Sequence, residues 1–336
     1  MIYKKIIRPL LFSLNPETAH KLYELTVEYF PFIFLPFKTR NKNKRVIKKT
    51  VSGIKIANRV GLAAGFDKNG RVFHSIGTFG FGYIVVGTVT LQANEGNPNP
   101  RFRRLPKYES LVNSMGFPNE GVNKIVHRLD SHKSKLRDVP VVVSISGITV
   151  DEISECLKIV EPFCDAVELN LSSPNTKGIK MFHQKENFND LLGELNRLKS
   201  KPLWVKLPSY GHIEIEGLSG ESYENSKKLV LDLAKFSVDF GVDALTIANS
   251  RSVKDLKMAT GFGGLSGKVL IEDTIAMIKD VRGEVGDLIS INGCGGIFNN
   301  TDAERVIDAG ATTVQVYSGL LYEGPKLAQH ISKSIG

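Results

Sequence analysis

From Val46 onward the chain alternates between short apolar runs and longer mixed stretches. Eight runs stand out: VGLAAG (60–65), YIVVGT (83–88), PVVVSIS (140–146), DAVELN (165–170), PLWVKL (202–207), DALTIAN (243–249), DLISINGC (287–294) and TTVQVYS (312–318). Most are apolar or small at nearly every position, which is what a strand buried on both faces of a parallel sheet requires. Helical stretches separate most of them, such as 151–162, 187–199, 223–240, 268–283 and 301–309. Eight strand–helix units predict a (β/α)8 TIM barrel. A doubly wound α/β sheet is the runner-up, but no G-x-G-x-x-G follows the first strand. A hairpin turning at Ser52-Gly53 is expected within residues 46–60. The link from the second run to the third, residues 89–139, is long; its polar, glycine-rich pieces GNPNPRFRRL and NSMGFPNEG read as functional loops.

Residues 1–40 follow another pattern. Ile2, Ile6, Leu10 and Leu14 recur every four residues beside Ile7 and Leu11, so residues 3–13 predict a short amphipathic helix with a kink at Pro9. Asn15-Pro16-Glu17 supplies an N-cap, a first helical residue and a first-turn acid for a second helix. Ala19, Leu22, Tyr23, Thr26, Tyr29 and Phe30 lie along one face of it. The apolar PFIFLPF that follows is too short to span a bilayer. Two parts result: a small N-terminal helical segment, 1–40, and a barrel domain, 41–336.

Charge sharpens the reading of that segment. Residues 1–50 hold eleven Lys/Arg and three Glu, a net of +8 against +9 for the whole chain, so the remainder is nearly neutral. A near-neutral barrel argues against a nucleic-acid partner. Basic excess on an apolar terminal segment fits an anionic membrane surface, a solvated tail being the plainer alternative. With no cleavage site and no long apolar core, no secretory signal is expected, and the protein is placed peripherally at the cytoplasmic face of the cell membrane. Three cysteines without C-x-x-C spacing indicate a reducing compartment and no zinc or iron–sulfur site. The seven histidines lack metal-binding spacing, so no metal is expected.

The strand ends carry the chemistry. Gly293-Cys294-Gly295-Gly296, Tyr317-Ser318-Gly319 and Gly263-Gly264-Leu265-Ser266-Gly267 are three glycine clusters expected at one barrel mouth, where backbone amides can approach a phosphate. That implies a phosphorylated substrate or a cofactor such as FMN; tight turns alone are the bland alternative. Lys68 and Lys206 stand at strand ends, where a lysine either needs an anionic partner or snorkels to water. Asn113, Asn170, Asn175, Asn249 and Ser250 surround them, without a carboxylate pair or a strand-end histidine. That combination excludes most glycosidase and metal-hydrolase designs and suits a planar, anionic molecule beside a cofactor.

Taken together, GLAAGFDKNG, GTVT…GNPNPR, NSMGF, ELNLSSPNT, GGLSGK and VQVYSG resemble dihydroorotate dehydrogenase, from about residue 3 to the C-terminus. The basic N-terminal helices and the serine in NLSSPN resemble its membrane-associated, quinone-dependent class. The resemblance implies oxidation of dihydroorotate to orotate in pyrimidine biosynthesis, with FMN as hydride acceptor and a membrane quinone as final acceptor. A barrel using fumarate or NAD, or another pyrimidine, is the alternative. It further implies that Ser173 is the base removing the C5 proton while hydride leaves C6 for flavin N5. FMN would be held by Ala64, Gly65, Thr88, Ser144, Asn170, Lys206, Ala248, Gly267, Gly295, Gly296, Tyr317 and Ser318. Orotate would be lined by Lys68, Asn113, Ser114, Met115, Gly116, Phe117, Asn170, Asn175, Asn249 and Ser250. His20 and Arg101 match positions at the quinone pocket, and a monomer or weak homo-oligomer is expected. Three departures stand out: Ser144 where the family usually has Asn, LPSYG after Lys206, and NGCGG at the seventh strand end.

Overall fold

The computed structural model describes residues 2–38, 49–133, 136, 139–173, 176, 178–212, 215–220 and 222–335. Eight parallel strands close a barrel in chain order: β1 (Val60–Asp67), β2 (Tyr83–Val89), β3 (Val141–Ile145), β4 (Ala166–Asn170), β5 (Leu203–Lys206), β6 (Ala244–Ile247), β7 (Ser290–Cys294) and β8 (Thr313–Val316). Each falls within or overlaps one of the eight apolar runs. Outward residues such as Leu62, Ile84, Val143, Val167 and Leu245 pack against surrounding helices. Inward Tyr83, Val85, Val142, Ala166, Trp204 and Ala244 fill the lower barrel.

The floor is the expected hairpin. Lys49–Val51 pairs antiparallel with Ile54–Ile56, and Ser52 and Gly53 turn with φ of 52° and 81°. Ile54 and Ile56 plug the barrel from below, and Trp204 Nε1 donates to the Ser52 carbonyl at 2.7 Å. The expected start of this hairpin at 46–48 lies outside the described residues.

The helices follow the pattern, with adjusted ends: Val150–Val160, Lys185–Leu198, Tyr223–Asp239, Ile271–Val285 and Asn300–Asp308. Residues 268–270, read as the start of a helix, form a 3-10 turn instead. Helices Val122–Lys133 and Leu327–Ile335 were not singled out by the pattern.

A second sheet corrects the loop reading of the mouth. Ser219–Gly220, Arg251–Lys254, Phe262–Gly267, Ser110–Asn113 and Phe102–Leu105 form a five-stranded antiparallel sheet in that order. Part of GNPNPRFRRL is therefore strand, and so is the glycine cluster at 263–267. A Cβ on Gly263 would stand 2.4 Å from the Val112 side chain, so strand pairing itself requires glycine there.

At the N-terminus, a π-helical turn, Tyr3–Ile7, runs into α1 (Arg8–Ser13), followed by α2 (Pro16–Tyr29). The expected kink takes the form of that wider turn: Pro9 occupies the first turn of α1, and the Arg8 amide donates five residues back to Tyr3. Asn15 caps α2 by accepting from the Glu17 amide at 3.0 Å. Arg104 clasps the end of α1, donating to the carbonyls of Phe12 and Leu14 at 3.0 and 2.6 Å with its guanidinium over the Phe12 ring. Tyr3 and Arg8 donate to the carbonyls of Leu321 and Tyr322 at 2.6 and 3.0 Å.

The face assigned to α2 splits in two. Ala19 is buried and Tyr23 turns inward, edge-on to Phe34 and Phe66, whereas Leu22, Tyr29 and Phe30 face outward. The inward side carries charge as well: Glu17 and Glu28 pair with Arg101 and Arg71 of the barrel, His20 faces Glu24 on the same helix, and all four line the space beneath.

Candidate active site

The site begins with how the strand ends are held. Asn170 closes β4 and lies opposite Lys206 on β5. Its amide donates to Thr88 Oγ1 at 2.9 Å, and its carbonyl oxygen Oδ1 accepts from Ser172 Oγ at 2.9 Å and Asn249 Nδ2 at 3.4 Å. Asn249 also donates to Ser172 Oγ at 3.0 Å. Neutral side chains from β2, β4 and β6 are thus locked into one network, so the polar density of NLSSPN is local wiring as well as ligand-facing surface. Ser173 is 8% exposed, and its Oγ accepts from Thr176 Oγ1 at 3.0 Å. Asn175 lies outside the described residues.

Lys206 is 5% exposed, yet no hydrogen bond or ion pair of its ammonium is found among the described residues. It lines the cavity, so its charge faces a space made for something negative. Lys68 sits on a loop fixed by Asp67, whose carboxylate accepts from the amides of Arg71, Val72 and Phe73 at 2.9, 2.8 and 2.7 Å. Cys294, at the end of β7, faces the same space; burial pushes its thiol pKa up, with Lys206 opposing, so it stays a neutral thiol.

A cradle closes one side. Gly295 and Gly296 have φ of 136° and 74°, and Gly267 has φ of 118°. A Cβ would lie 2.6 Å from Thr274 Oγ1 at Gly295, 2.3 Å from the Ile271 amide nitrogen at Gly296, and 2.4 Å from Ser110 Cα at Gly267. All three positions are built for bare backbone. Tyr317 and Ser318 bring the end of β8 to the same wall.

One cavity of about 1000 Å³ connects these groups. Of the residues expected around a flavin, Ala64, Gly65, Thr88, Asn170, Lys206, Ala248, Gly267, Gly295, Gly296, Tyr317 and Ser318 line it, and Ser144 does not. Ser144 is fully buried, and its short side chain reaches Thr88 Oγ1 at 3.1 Å instead of the cavity. Of the residues expected around orotate, Lys68, Asn113, Met115, Gly116, Phe117, Asn249 and Ser250 line the cavity. Ser114 does not: it is fully buried and its hydroxyl pairs with Thr260 at 2.7 Å.

The same cavity continues outward beneath α1 and α2, past Ile7, Leu11, Phe12, Tyr23, Phe34 and Phe66. His20 and Arg101 both line it. Arg101 is already engaged, donating from Nε and Nη2 to the two oxygens of Glu17 at 2.9 and 2.8 Å. That bidentate grip holds the Glu17 carboxyl below its usual pKa range. His20 Nε2 lies 3.3 Å from Glu24 Oε1 outside hydrogen-bond geometry. Burial works to raise the Glu24 pKa, but His20, Lys68 and Arg71 outweigh it and hold the carboxyl low. Glu17 and Glu24 were missed from sequence; the three- and four-residue spacing of Glu17, His20, Glu24 and Glu28 was the available signal. Among the described residues no cluster of side chains could hold a metal ion, and no helix is long and apolar enough to cross a membrane.

Comparison with known proteins gives consistent results. The family model for dihydroorotate dehydrogenase matches residues 46–336. A dihydroorotate dehydrogenase (quinone) of Methylococcus capsulatus is 34% identical, the match covering 100% of this chain and 99% of that protein. One from Herminiimonas arsenicoxydans is 33% identical over 98% of this chain and 96% of its own. Among solved structures, Eimeria tenella DHODH in complex with ferulenol superposes with a TM-score of 0.80 at 27% identity, covering 95% of this chain and 90% of that one.

Proposed function

The chain belongs to the dihydroorotate dehydrogenase family, and from that premise we propose that it oxidises dihydroorotate to orotate and passes the electrons to a quinone. The observation that carries this reading is the single cavity: it joins the glycine cradle, Lys206 and Ser173 to an apolar passage under α1 and α2.

The residues fit FMN as the resident group, which would accept hydride from substrate when bound. Gly267, Gly295 and Gly296 would receive its phosphate, since a side chain at any of them would collide with Ser110, Thr274 or Ile271 and displace the wall. Lys206 would supply the cation facing the ring, where added negative charge is stabilised by a preorganised group. Thr88 and Asn170 would present their hydrogen-bonding edges toward it.

Ser173 serves as the base that takes the substrate proton. A serine hydroxyl is a weak base at neutral pH, so it needs a partner that carries the proton onward or polarises it. Thr176 donates to the Ser173 oxygen, and with the two hydroxyls turned about it would accept the Ser173 proton and pass it onward. Lys68, Asn113 and Asn249 bind the carboxylate and ring amides of the substrate, and Asn175 is assigned to the same clamp.

The segment 1–40 serves as the quinone entrance and as a shallow membrane contact, the remainder as the catalytic barrel. Ile2, Ile6, Leu10, Leu22, Tyr29 and Phe32 are exposed on its outer side, ringed by Lys4, Lys5 and Lys21. Apolar surface with basic flanks suits an anionic leaflet. The deciding experiment supplies dihydroorotate with a quinone, fumarate or NAD under identical conditions. Turnover confined to quinone is the expected result; preference for fumarate or NAD would overturn the assignment.

A further inference from the structure

A carboxylate lies inside the barrel that none of the roles above uses. Glu168, on β4, has no exposed surface. Its Oε2 accepts from Thr246 Oγ1 at 2.8 Å, and its Oε1 has no hydrogen-bond partner. Thr246 is on β6, and β5 lies between the two strands. The register opposite Glu168 on β5 is Trp204, and the register opposite Thr246 is Lys206. To reach Thr246, the Glu168 carboxylate must therefore cross the inner face of β5 between the side chains of Trp204 and Lys206.

Burying a carboxylate with one bare oxygen is costly, and the surroundings do little to relieve it. Nearby inward groups at this level, Asn292, Thr313 and Gln315, are neutral. The Cys294 thiol feels both Lys206 and Glu168 and remains protonated, so it adds no charge. What remains is a buried anion just behind a buried cation, the cation turned toward the cavity. In a dry interior the two interact over distances that water would screen.

We propose that Glu168 is a positioning residue which, held by Thr246 across β5, moderates the field that Lys206 presents at the barrel mouth and so lowers the reduction potential of the bound flavin. Reduction adds negative charge next to Lys206. An anion behind that lysine makes the added charge less favourable, so electrons are held less tightly and pass on to the acceptor more readily. Glu168 touches neither substrate nor cofactor in this scheme; it acts through Lys206.

The inference rests on the flavin reading above, and the experiment separates the two. Wild-type protein is purified first and its released cofactor identified. Absence of a flavin monophosphate would overturn the functional reading and this inference together. With flavin present, Glu168→Gln is compared with wild type; glutamine keeps the shape and leaves Thr246 an oxygen to donate to. The expected result is a reduction equilibrium shifted about tenfold toward the reduced state, which is about 30 mV more positive for two electrons. Sulfite, which binds oxidised flavins as an anion, should bind about tenfold more tightly. A Glu168→Gln protein that holds flavin with unchanged potential and sulfite affinity would overturn the proposal, as would a shift of opposite sign. Glu168→Asp, which keeps the charge, guards against a folding artefact. If Glu168→Gln loses flavin but Glu168→Asp retains it, the carboxylate serves cofactor retention instead of tuning and the proposal falls. If both lose flavin, Glu168 is a packing residue and the proposal falls.

Discussion

Arg101 holds Glu17 by two parallel hydrogen bonds, at 2.9 and 2.8 Å, and that pair pins α2 over the cavity mouth. A bidentate fork fixes geometry as well as charge, so it sets where the second helix sits over the passage. Glu17→Gln is expected to raise the KM for quinone severalfold while leaving flavin reduction by dihydroorotate unchanged. Stopped-flow traces of the two half-reactions check this; equal slowing of both would mean that the pair supports the whole mouth.

The same pair carries a pH dependence. Arg101 depresses the folded-state pKa of Glu17, so the contribution is fully present above the unfolded value, about 4.3, and is lost as pH falls through the lower folded value. A partly exposed pair of this kind contributes about 1 kcal/mol at most. Thermal midpoints of wild type and Glu17→Gln should therefore differ by on the order of 2 °C at neutral pH and converge as the pH falls through the depressed folded-state value of Glu17. A constant gap across that range would assign the difference to packing.

Ser173→Ala should slow flavin reduction by dihydroorotate by roughly 100- to 10,000-fold, the usual weight of one general base, with the cofactor still bound. Loss of flavin along with activity would instead make Ser173 part of the wall. Thr176→Val is expected to give a milder defect of the same kind, because it removes the partner of the Ser173 hydroxyl and not the hydroxyl.

Gly296→Ala tests the cradle. The added methyl would lie 2.3 Å from the Ile271 amide nitrogen on a backbone with φ of 74°, so both strain and collision oppose it. Protein purified with this change should be colourless or lose its flavin on dialysis, and added flavin mononucleotide should restore less than wild-type occupancy. Full retention would move the phosphate elsewhere.

The parts legible from sequence share a physical cause. Barrel strands announce themselves because burial on both faces leaves runs such as YIVVGT nearly without polar residues, and Asn15-Pro16-Glu17 is a local capping signal that needs no tertiary partner. The antiparallel sheet over the mouth hides because its strands are short and pair across long separations, Asn113 with Gly264 for one. Gly263 serves strand packing whereas Gly267 faces the cavity, a division that a reading of loops cannot make. The α2 face misleads because apolar side chains cover both its inner and outer sides, so a single-face pattern merges Tyr23 with Leu22. Ser144 and Ser114 sit beside the right residues in sequence but one layer behind the cavity wall, and depth is not written in a motif. Glu168 passes unnoticed inside DAVELN, one carboxylate in a strand whose other residues explain themselves.

The last prediction concerns the N-terminal segment as a unit. Its outer side shows Ile2, Leu10 and Phe32 to solvent at 69%, 67% and 61% exposure, together with Ile6, Leu22, Tyr29 and Phe30 on the same segment. Its inner side is tied down by Arg104, by the Leu321 and Tyr322 carbonyls and by Arg101. Those polar ties lie at the rim; Val27 enters the main core with Tyr23, Phe34 and Phe37 packed against it, and the strands, the floor hairpin and the outer helices supply the rest of the core. Removing residues 1–40 should therefore leave a folded, yellow barrel with a lowered thermal midpoint, because Arg104 loses its carbonyl partners and Phe66 and Phe79 lose their cover. Dihydroorotate should still reduce its flavin, since the cradle, Lys206 and Ser173 lie on the barrel itself. Reoxidation by a long-chain quinone should collapse, and sedimentation with anionic liposomes should fall to background, because each basic residue near such a surface contributes on the order of 1 kcal/mol. A short, water-soluble quinone should lose much less, since it needs no apolar passage. If the truncated protein turns over long-chain quinone at the full rate, the passage beneath α1 and α2 is not the acceptor's route, and these helices serve only as a tail.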